Sequence, residues 1–580
     1  GANIFRGHDN VQGATDVGLD IVTLPFYYGL VEGAWKHWGR VWKVDYDWLL
    51  SRFDSKKIME TPGIPLTRWF DAVLLPKDHV DQKDNVRAMF VQGHASNSIT
   101  RIPESMKGLQ KLELLVIADP HPTTWASLSV EAGRKDGTYL LPVCTQFETS
   151  GSRVASNRSL QWGEQIVPPS FEAKDDYEVM YLVAKKLGFA DRLFKNIKIE
   201  GDRPLPEDIL REMNRGSWST GYCGQSPERL KLHMANQKDF ELVSTRADSG
   251  PCKGDYYGLP WPCWGSPEVK HPGTPLLYNT NLHVMDGGGT FRPRFGVERN
   301  GVSLLADGSY SVGSEIQDGY PEFTYGVLKK LGWDGDLSAD ELAMIQQIGG
   351  DKADTVSWST DLSGGIQRVA LKHGCVPYGN GKARTVAWNL PDPTPVHREP
   401  IYTPRVDLVA KYPTLPDARQ FRVPNIGFTV QKTAVDKGIA KNFPLILSSG
   451  RLVEYEGGGE ETRSNKWLAE LQQDMFIEIS PADAAERGIR DGGWVWVTGA
   501  ENNSMAKMKA LVTERVGKGV AWMPYHFGGW FQGKDLRGKY PQGIDPVVLG
   551  ESANTITTYG YDPATGMQEP KATLCQIRAA

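Results

Sequence analysis

The chain has no two cysteines in Cys-x-x-Cys spacing. Its six, Cys144, Cys223, Cys252, Cys263, Cys375 and Cys575, are scattered, so no iron–sulfur or zinc knuckle is encoded here. Cys252 and Cys263 are near enough to pair, but thiols in a Gly/Pro-rich loop are more often single, and all six are expected as free structural cysteines. Long apolar runs are also missing. Leu114–Ala118 falls far short of the ~20 residues a bilayer span needs, so no direct membrane span is expected. Charge of one sign is scarce: 65 Lys and Arg against 70 Asp and Glu leave a net charge of -5. That gives no electrostatic case for nucleic acid or an anionic membrane. The start, Gly1-Ala2-Asn3-Ile4-Phe5-Arg6, carries neither an initiator Met nor a charged-then-apolar signal. A processed chain, or one whose earlier part lies elsewhere, would begin in the same way.

What is present is ordinary globular material: 580 residues, 40% hydrophobic and 23% charged, enough for two or three domains. Ala88–Val91, Leu112–Ala118 and Leu140–Val143 are short apolar runs, the first two closed by Gln92-Gly93 and by Asp119. Such runs are typical of strands buried between helix layers. With helix-compatible segments between them they predict a doubly wound α/β unit. An amphipathic helix over Asp175–Leu187 closes it, with Asp175 and Glu178 as a capping pair and Gly188 as the stop. From about 190 to 385 loops rich in Gly, Pro and Trp dominate, as in segments that wrap another domain or subunit. Prolines recur from Pro391 to Pro424, predicting an extended connector. After Asn442 the reading is strand-rich, with strands at Pro444–Leu447, Trp494–Val497 and Lys507–Thr513. One short helix starts at Ser480-Pro481 and stops at Gly488. This pattern predicts a barrel.

Several motifs stand on this frame. The first is Arg6-Gly7-His8-Asp9-Asn10-Val11-Gln12-Gly13-Ala14-Thr15-Asp16. It is similar to the Arg-Gly-x-x-Asn-Val-Gln-Gly segment of formate dehydrogenases in the dimethyl sulfoxide reductase family of molybdenum and tungsten enzymes. A small planar carboxylate is best held by a guanidinium offering two parallel hydrogen bonds, and the resemblance puts the family's active-site arginine on Arg6. His8 stands where some members have glutamine. It is either a substrate-channel residue or a histidine bonded to a loop carbonyl.

Phe90-Val91-Gln92-Gly93 with Asn97, and Asp119 with Thr123, resemble the strand-to-loop turns that bind one guanine dinucleotide end of the pyranopterin cofactor. A glycine after a strand lets backbone amides approach a diphosphate, and an aspartate ending the next strand accepts from guanine or ribose. Thr124 and Trp125 depart from the family pattern. Asn157, Arg158 and Gln161, after Glu148 and Gly151, match the family's order and suit phosphate and pterin-edge contacts. Gly254–Trp264, His271–Pro275 and Phe291–Gly296 resemble respiratory and periplasmic formate dehydrogenases. Aromatic–proline packing explains that section without chemistry, and a partner surface is the alternative. Towards the end, Gly450, Arg451, Tyr455, Thr462, Arg463, His526, Asn554, Thr555 and Lys571 resemble the cap that closes over both pyranopterins. In that reading Arg451, Arg463 and Lys571 offset diphosphate charge, whereas His526 is either a pterin contact or a satisfied core histidine.

The resemblance implies the carboxy-terminal part of a formate dehydrogenase catalytic subunit. Its expected layout is a second dinucleotide-binding α/β domain over 1–190, then a loop-rich region over 191–390 completing the iron–sulfur domain's shell and a partner surface. A proline-rich connector over 391–441 and a double-psi-type β-barrel cap over 442–580 follow. It implies a bis(molybdopterin guanine dinucleotide) cofactor with molybdenum or tungsten, and formate and carbon dioxide as substrates. The [4Fe-4S] cluster and the metal ligand are expected on an N-terminal segment or separate chain, with electrons passing to an iron–sulfur subunit. No metal ligand is expected in this chain, which would be active only with that missing part. A periplasmic location follows from the resemblance, and cytoplasmic residence stays open. Another molybdopterin oxidoreductase, of nitrate or polysulfide reductase type, and a non-catalytic scaffold are the alternatives.

Overall fold

A computed structural model describes residues 9–30, 32–93, 96–134, 136–156, 159–216, 225–243, 245–255, 257–258, 264–266, 271–273, 278–279, 289–290, 324–358, 360–373, 396–562 and 566–580. Arg6, His8, Asn157, Arg158, Cys223, Cys263, Cys375, Pro391, Pro393 and Pro395 lie outside the described residues, as does most of 254–296. The chain divides into two compact units. The first gathers its residues from Gly1–Glu60, Gln146–Pro168 and Asp175–Thr394, and the second from Thr61–Thr145, Pro169–Lys174 and Pro395–Ala580. The block expected over 1–190 therefore contributes to both.

The second unit opens with helix α1 (Trp69–Leu74), followed by β1 (Ala88–Gln92), α2 (Ile102–Lys111), β2 (Leu114–Asp119), α3 (Thr124–Glu131) and β3 (Thr138–Pro142). The three strands are parallel in the order β1-β2-β3, with Val91, Ile117 and Leu140 in register. Val91, Leu115 and Ile117 pack beneath Trp69, Phe70, Ile102, Leu109, Trp125 and Leu128, so all three helices cover that face. Gly108 makes the packing of α1 on α2 possible, since a Cβ there would sit 2.9 Å from Phe70 Cβ and from the Trp69 ring. On the opposite face Phe90, in register with Val116 and Tyr139, remains 52% exposed. Helix Asp176–Lys186, expected to close this α/β layer, forms but belongs to the first unit.

The rest of the second unit is built on β4 (Leu445–Gly450), β5 (Phe476–Ile479), α4 (Pro481–Glu486), β6 (Trp494–Gly499), β7 (Met505–Val512), β8 (Val520–Pro524) and β9 (Thr573–Ala579). The six strands close into a barrel in the order β4-β8-β5-β7-β6-β9. Two pairs, β4 with β8 and β5 with β7, are parallel, and the other contacts are antiparallel. Burial alternates along β4, β6 and β7, the period of a strand with one face inward. Leu447, Ile477, Val495, Val497, Met508, Ala521, Met523 and Ile577 fill the interior. Ser480 caps α4 by accepting from the Asp483 amide, with Pro481 at the first helical position.

The expected connector is more ordered than its prolines imply. Residues 418–425 form a two-stranded hairpin and Gly427–Asp436 a helix. Buried Gln431 donates to the carbonyls of Glu399 and Pro400, which satisfies acceptors that a run of prolines leaves open.

The first unit is mainly helical. Helices Glu32–Trp42, Pro206–Gly216 and Pro227–Ala235 bury Trp35, Trp38, Val41, Leu210 and Leu230 against Leu160 and Trp162 of the hairpin Gly151–Val154/Leu160–Gly163. The region expected as loops also holds helices Tyr325–Leu331, Ala339–Gly349 and Gly365–Lys372. Local caps explain them. Ser338 and Glu341 form a reciprocal capping box and Ser226 caps a helix that begins with Pro227. Region-wide Gly and Pro content conceals such signals. Cys252 and Cys575 are buried free thiols. Among the described residues no helix is long and apolar enough to cross a membrane. Among the same residues no group of three His, Cys, Asp or Glu could hold a metal ion.

Candidate functional site

In the second unit the carboxyl ends of β1 and β2 meet two loops of the barrel. Gly93 ends β1 with φ +59, and a Cβ there would meet nothing within 4 Å, so bare backbone faces open space. Four residues on, Asn97 is fully buried. Its Nδ2 donates to the carbonyls of Gly458 at 2.6 Å and Phe527 at 2.9 Å. The Asn97 carbonyl accepts from Asn554 Nδ2 at 2.5 Å and from Ser552 Oγ at 3.3 Å. Asn97 thus bonds two barrel loops through its side chain and a third, that of Asn554, through its carbonyl, which closes the seam between sheet and barrel.

Asp119 ends β2 and Thr123 precedes α3, both buried. The amide and hydroxyl of Thr124 each donate to Glu460 Oε2 at 3.0 Å. Arg463 is enclosed completely. It bonds Glu460 at 2.8 Å, the Gly528 carbonyl at 2.9 Å and the Gly459 carbonyl at 3.0 Å. Burial pushes the Glu460 carboxyl above its ordinary range, and Arg463 and Thr124 pull it back. The positive end of a helix that follows a β-strand is a ready anion site. Here a carboxylate of the chain itself fills it.

Two other cations meet at a different point. Arg451 lies 5.7 Å and Lys571 4.9 Å from the centre of the Tyr525 ring. Lys571 also donates to the Ser449 carbonyl at 2.6 Å. Burial first, and the neighbouring Arg451 second, lower the Lys571 ammonium. Among the described residues neither cation has a carboxylate partner. Gly450, one residue before Arg451, is where the Trp522 indole packs, since a Cβ would sit 2.6 Å from that ring.

Several residues expected to touch a cofactor are instead committed to the protein. His526 is buried, with Nε2 accepting from the Leu452 amide at 2.7 Å. Nδ1 donates to the carbonyls of Glu456 at 2.8 Å and Gly457 at 2.7 Å. Burial lowers its pKa and both ring nitrogens are used, so it is a neutral strut of the 452–457 loop. Tyr455 donates to the Gln472 carbonyl, and burial pushes its phenol up to about 12. Arg463, expected against a diphosphate, balances Glu460 instead. Among the described residues the buried hydroxyls of Thr555, Thr123 and Thr462 have no partner, and neither has Asn97 Oδ1. Glu460, Tyr525 and Trp522 were not singled out in the sequence. For Glu460 a signal existed in its i,i+3 spacing to Arg463.

In the first unit Gln161 is half-buried on the hairpin opposite Arg153. The segment after Arg6 docks on the same hairpin. Asn10 Oδ1 accepts from the Val154 amide at 3.0 Å, and Asp9 lies 4.0 Å from Arg153. Two motifs far apart in sequence therefore meet.

Residues 445–574 match the family described as Molydopterin dinucleotide binding domain, and residues 55–186 match Molybdopterin oxidoreductase. Among curated relatives, formate dehydrogenase 2 subunit alpha (cytochrome c-553) of Nitratidesulfovibrio vulgaris is 24% identical over all of this chain and 57% of its own length. Formate dehydrogenase subunit alpha of Megalodesulfovibrio gigas is 29% identical, also over all of this chain and 57% of its own length. F420-dependent formate dehydrogenase subunit alpha of Methanocaldococcus jannaschii is 26% identical over 53% of this chain and 36% of itself. The chain spans little more than half the length of the first two. The segments that match Molybdopterin oxidoreductase and Molydopterin dinucleotide binding domain thus meet at the Asn97–Asn554 seam, and the chain is similar over its whole length to formate dehydrogenase alpha subunits.

Proposed function

We propose that this chain is part of the catalytic subunit of a formate dehydrogenase that interconverts formate and carbon dioxide at a molybdenum or tungsten centre held by bis(molybdopterin guanine dinucleotide). The observation that carries the reading is the seam itself. Buried oxygens without partners are costly, and Asn97 Oδ1, Thr123 Oγ1 and Thr555 Oγ1 are three of them beside turns that end parallel strands. A ligand with a polar ring edge and hydroxyls satisfies such atoms, and the carboxyl ends of parallel strands are where nucleotides bind. The residues present therefore fit the cofactor.

In this reading Gly93 offers open backbone to a diphosphate, and Asp119 accepts from guanine or ribose. Arg451 and Lys571 balance phosphate charge. Gln161, with Asn157 and Arg158, serves a pterin edge. Arg6 holds the formate carboxylate by two parallel hydrogen bonds. When bound, the cofactor supplies two-electron redox chemistry, and the chain orients substrate and cofactor. The [4Fe-4S] cluster, the metal ligand and the iron–sulfur subunit that receives the electrons come from sequence beyond this chain or from partner chains. The resemblance to periplasmic formate dehydrogenases extends the reading to that compartment.

The test is metal analysis of the purified assembly together with dye-linked turnover of formate against nitrate. Molybdenum or tungsten with formate-specific turnover is expected. Turnover of nitrate alone assigns a different oxidoreductase, and absence of both metals leaves a scaffold.

A further inference from the structure

Arg101 is a bulky residue held in a conformation that favours glycine. It stands at the N-cap position of α2 with φ 59 and ψ 53, and its side chain makes no bond to that helix. A left-handed residue of this size persists only where its surroundings over-determine it. Here they belong to the barrel. The Arg101 amide donates to Thr557 Oγ1 at 3.0 Å. Its side chain, 13% exposed, forks onto Glu501, with Nη2 to Oε1 at 2.6 Å and Nε to Oε2 at 3.1 Å. Glu501 Oε2 in turn accepts from the Tyr559 amide at 2.6 Å. Arg101 therefore grips residues 557–559 twice, once by its backbone and once through Glu501.

This grip is one end of a ladder. Four residues earlier, the Asn97 carbonyl accepts from Asn554 and Ser552. Between the two ends Gln568 donates to the Ser98 carbonyl and accepts from the Thr100 amide at 3.0 Å. Thr557 Oγ1 closes the circuit by donating to the Asn554 carbonyl at 3.1 Å. Two buried oxygens without partners among the described residues, Asn97 Oδ1 and Thr555 Oγ1, stand one on each side of the ladder.

We propose that Arg101 is a positioning residue for the cofactor. It locks the turn 97–101 to the loop 554–559, and so fixes where Asn97 Oδ1 and Thr555 Oγ1 stand relative to each other when a dinucleotide meets them. Groups already held in place lose little freedom when a ligand arrives, so the effect falls on cofactor retention. The inference rests on the cofactor reading above. Arg101 itself is committed to Glu501 and acts only through those two oxygens.

The test uses the complete enzyme carrying Arg101→Gly, Arg101→Lys, Thr555→Val and the Arg101→Gly/Thr555→Val pair. Glycine keeps the left-handed backbone and the amide donor and removes the guanidinium. Lysine keeps the charge without the fork. Valine removes a hydroxyl that bonds nothing in the described protein. Three quantities are read: the rate at which the purified enzyme loses pterin, hydrogen exchange of residues 96–101 and 552–559, and the unfolding midpoint. For Arg101→Gly, pterin loss roughly ten- to a hundredfold faster is expected, as when an outer partner of a bound group is removed. Exchange should rise in both segments. Arg101→Lys should fall between this variant and wild type, and it carries the same comparison if Arg101→Gly does not fold. The pair should lose pterin more slowly than the product of its single effects, because the relation Arg101 sets has no meaning once one oxygen is gone. A lower unfolding midpoint with wild-type pterin retention overturns the positioning role and leaves the cofactor reading intact. Fully multiplicative effects in the pair, or wild-type retention in Thr555→Val, overturn the part assigned to the two oxygens. An unaltered enzyme that yields no pterin on denaturation overturns the underlying reading, and it is seen before any variant is made.

Discussion

Glu460 and Arg463 form an ion pair at 2.8 Å with both side chains withdrawn from solvent, and the same carboxylate caps helix α3 through Thr124. Removing one partner of such a pair leaves a buried uncompensated charge, which costs about 3–5 kcal/mol. Arg463→Ala should therefore lower the unfolding midpoint sharply, whereas Glu460→Gln with Arg463→Met, which removes both charges, should cost much less. Equal midpoints for the single and double variants in urea titrations would count against the pair.

Asn97 makes a second, independent prediction about the seam. Its Nδ2 faces carbonyls of Gly458 and Phe527, so Asn97→Asp sets a carboxylate against two acceptors, while Asn97→Ala only leaves them unbonded. The alanine variant should lose about 1–3 kcal/mol and the aspartate variant more. Chemical denaturation of both decides it, and the reverse order would mean that the amide is oriented the other way.

These two cases mark how far the sequence is readable. Strands β1 and β2 are legible because apolar runs closed by Gly or Asp are local signals, and α4 because Ser480-Pro481 is a complete helix start. Asn97 and Asn554 are legible as loop amides, but their bonding to one another spans 457 residues, and no spacing encodes it. For Glu460 the i,i+3 spacing to Arg463 is local, but its bond to helix α3, which begins 336 residues earlier, is not encoded by any spacing. His526 and Tyr455 have side chains that serve a ligand or a loop equally well, and only burial and bonding distinguish the two. In the first unit the helices after Pro206 were hidden by Gly, Pro and Trp averaged over a long region, although their caps at Ser226 and Ser338 are individually plain.

Glu551 gives the chain a pH dependence of defined sign. It is fully buried and accepts from the amides of Gly533 at 2.5 Å, Gln532 at 3.2 Å and Lys507 at 3.3 Å. Burial raises its carboxyl from 4.5 to about 7, against the pull of those three donors. Between these pH values the folded chain keeps a proton that the unfolded chain has lost. The stabilisation is complete below about pH 4.5 and disappears as pH rises through about 7, with a span of about 3 kcal/mol. Glu551→Gln should flatten this slope in unfolding free energy between pH 5 and 8 (roughly the window in which the proton is lost), and an unchanged slope would assign it to another group.

Arg451 and Lys571 should govern cofactor retention rather than folding. Both lie beside Tyr525, Lys571 donates to the Ser449 carbonyl, and neither has a carboxylate partner among the described residues, so the fold uses their charge only in these weak contacts. Arg451→Gln with Lys571→Gln is expected to keep the unfolding midpoint within about 1 kcal/mol of wild type, as exposed or half-exposed charges do. Pterin released on denaturation should fall severalfold at low salt, and the deficit relative to wild type should narrow at high salt, which screens the same attraction in the unaltered enzyme. Full pterin content in the doubly substituted enzyme would remove these cations from the diphosphate site.

Arg6→Lys tests the substrate assignment directly. A guanidinium presents two parallel donors to a planar carboxylate, whereas an ammonium is a point charge without that geometry. Charge is conserved, so pterin and metal content should stay at wild-type levels while one oriented, charge-assisted bond is lost. Such a bond is worth about 1.5–3 kcal/mol, which predicts a fall in formate kcat/KM of roughly ten- to a hundredfold. Both KM and kcat should move, because in the proposed reading the same contact binds the substrate and aligns it for electron transfer. Steady-state turnover with a dye acceptor measures both, and wild-type values would place Arg6 away from the reacting carboxylate.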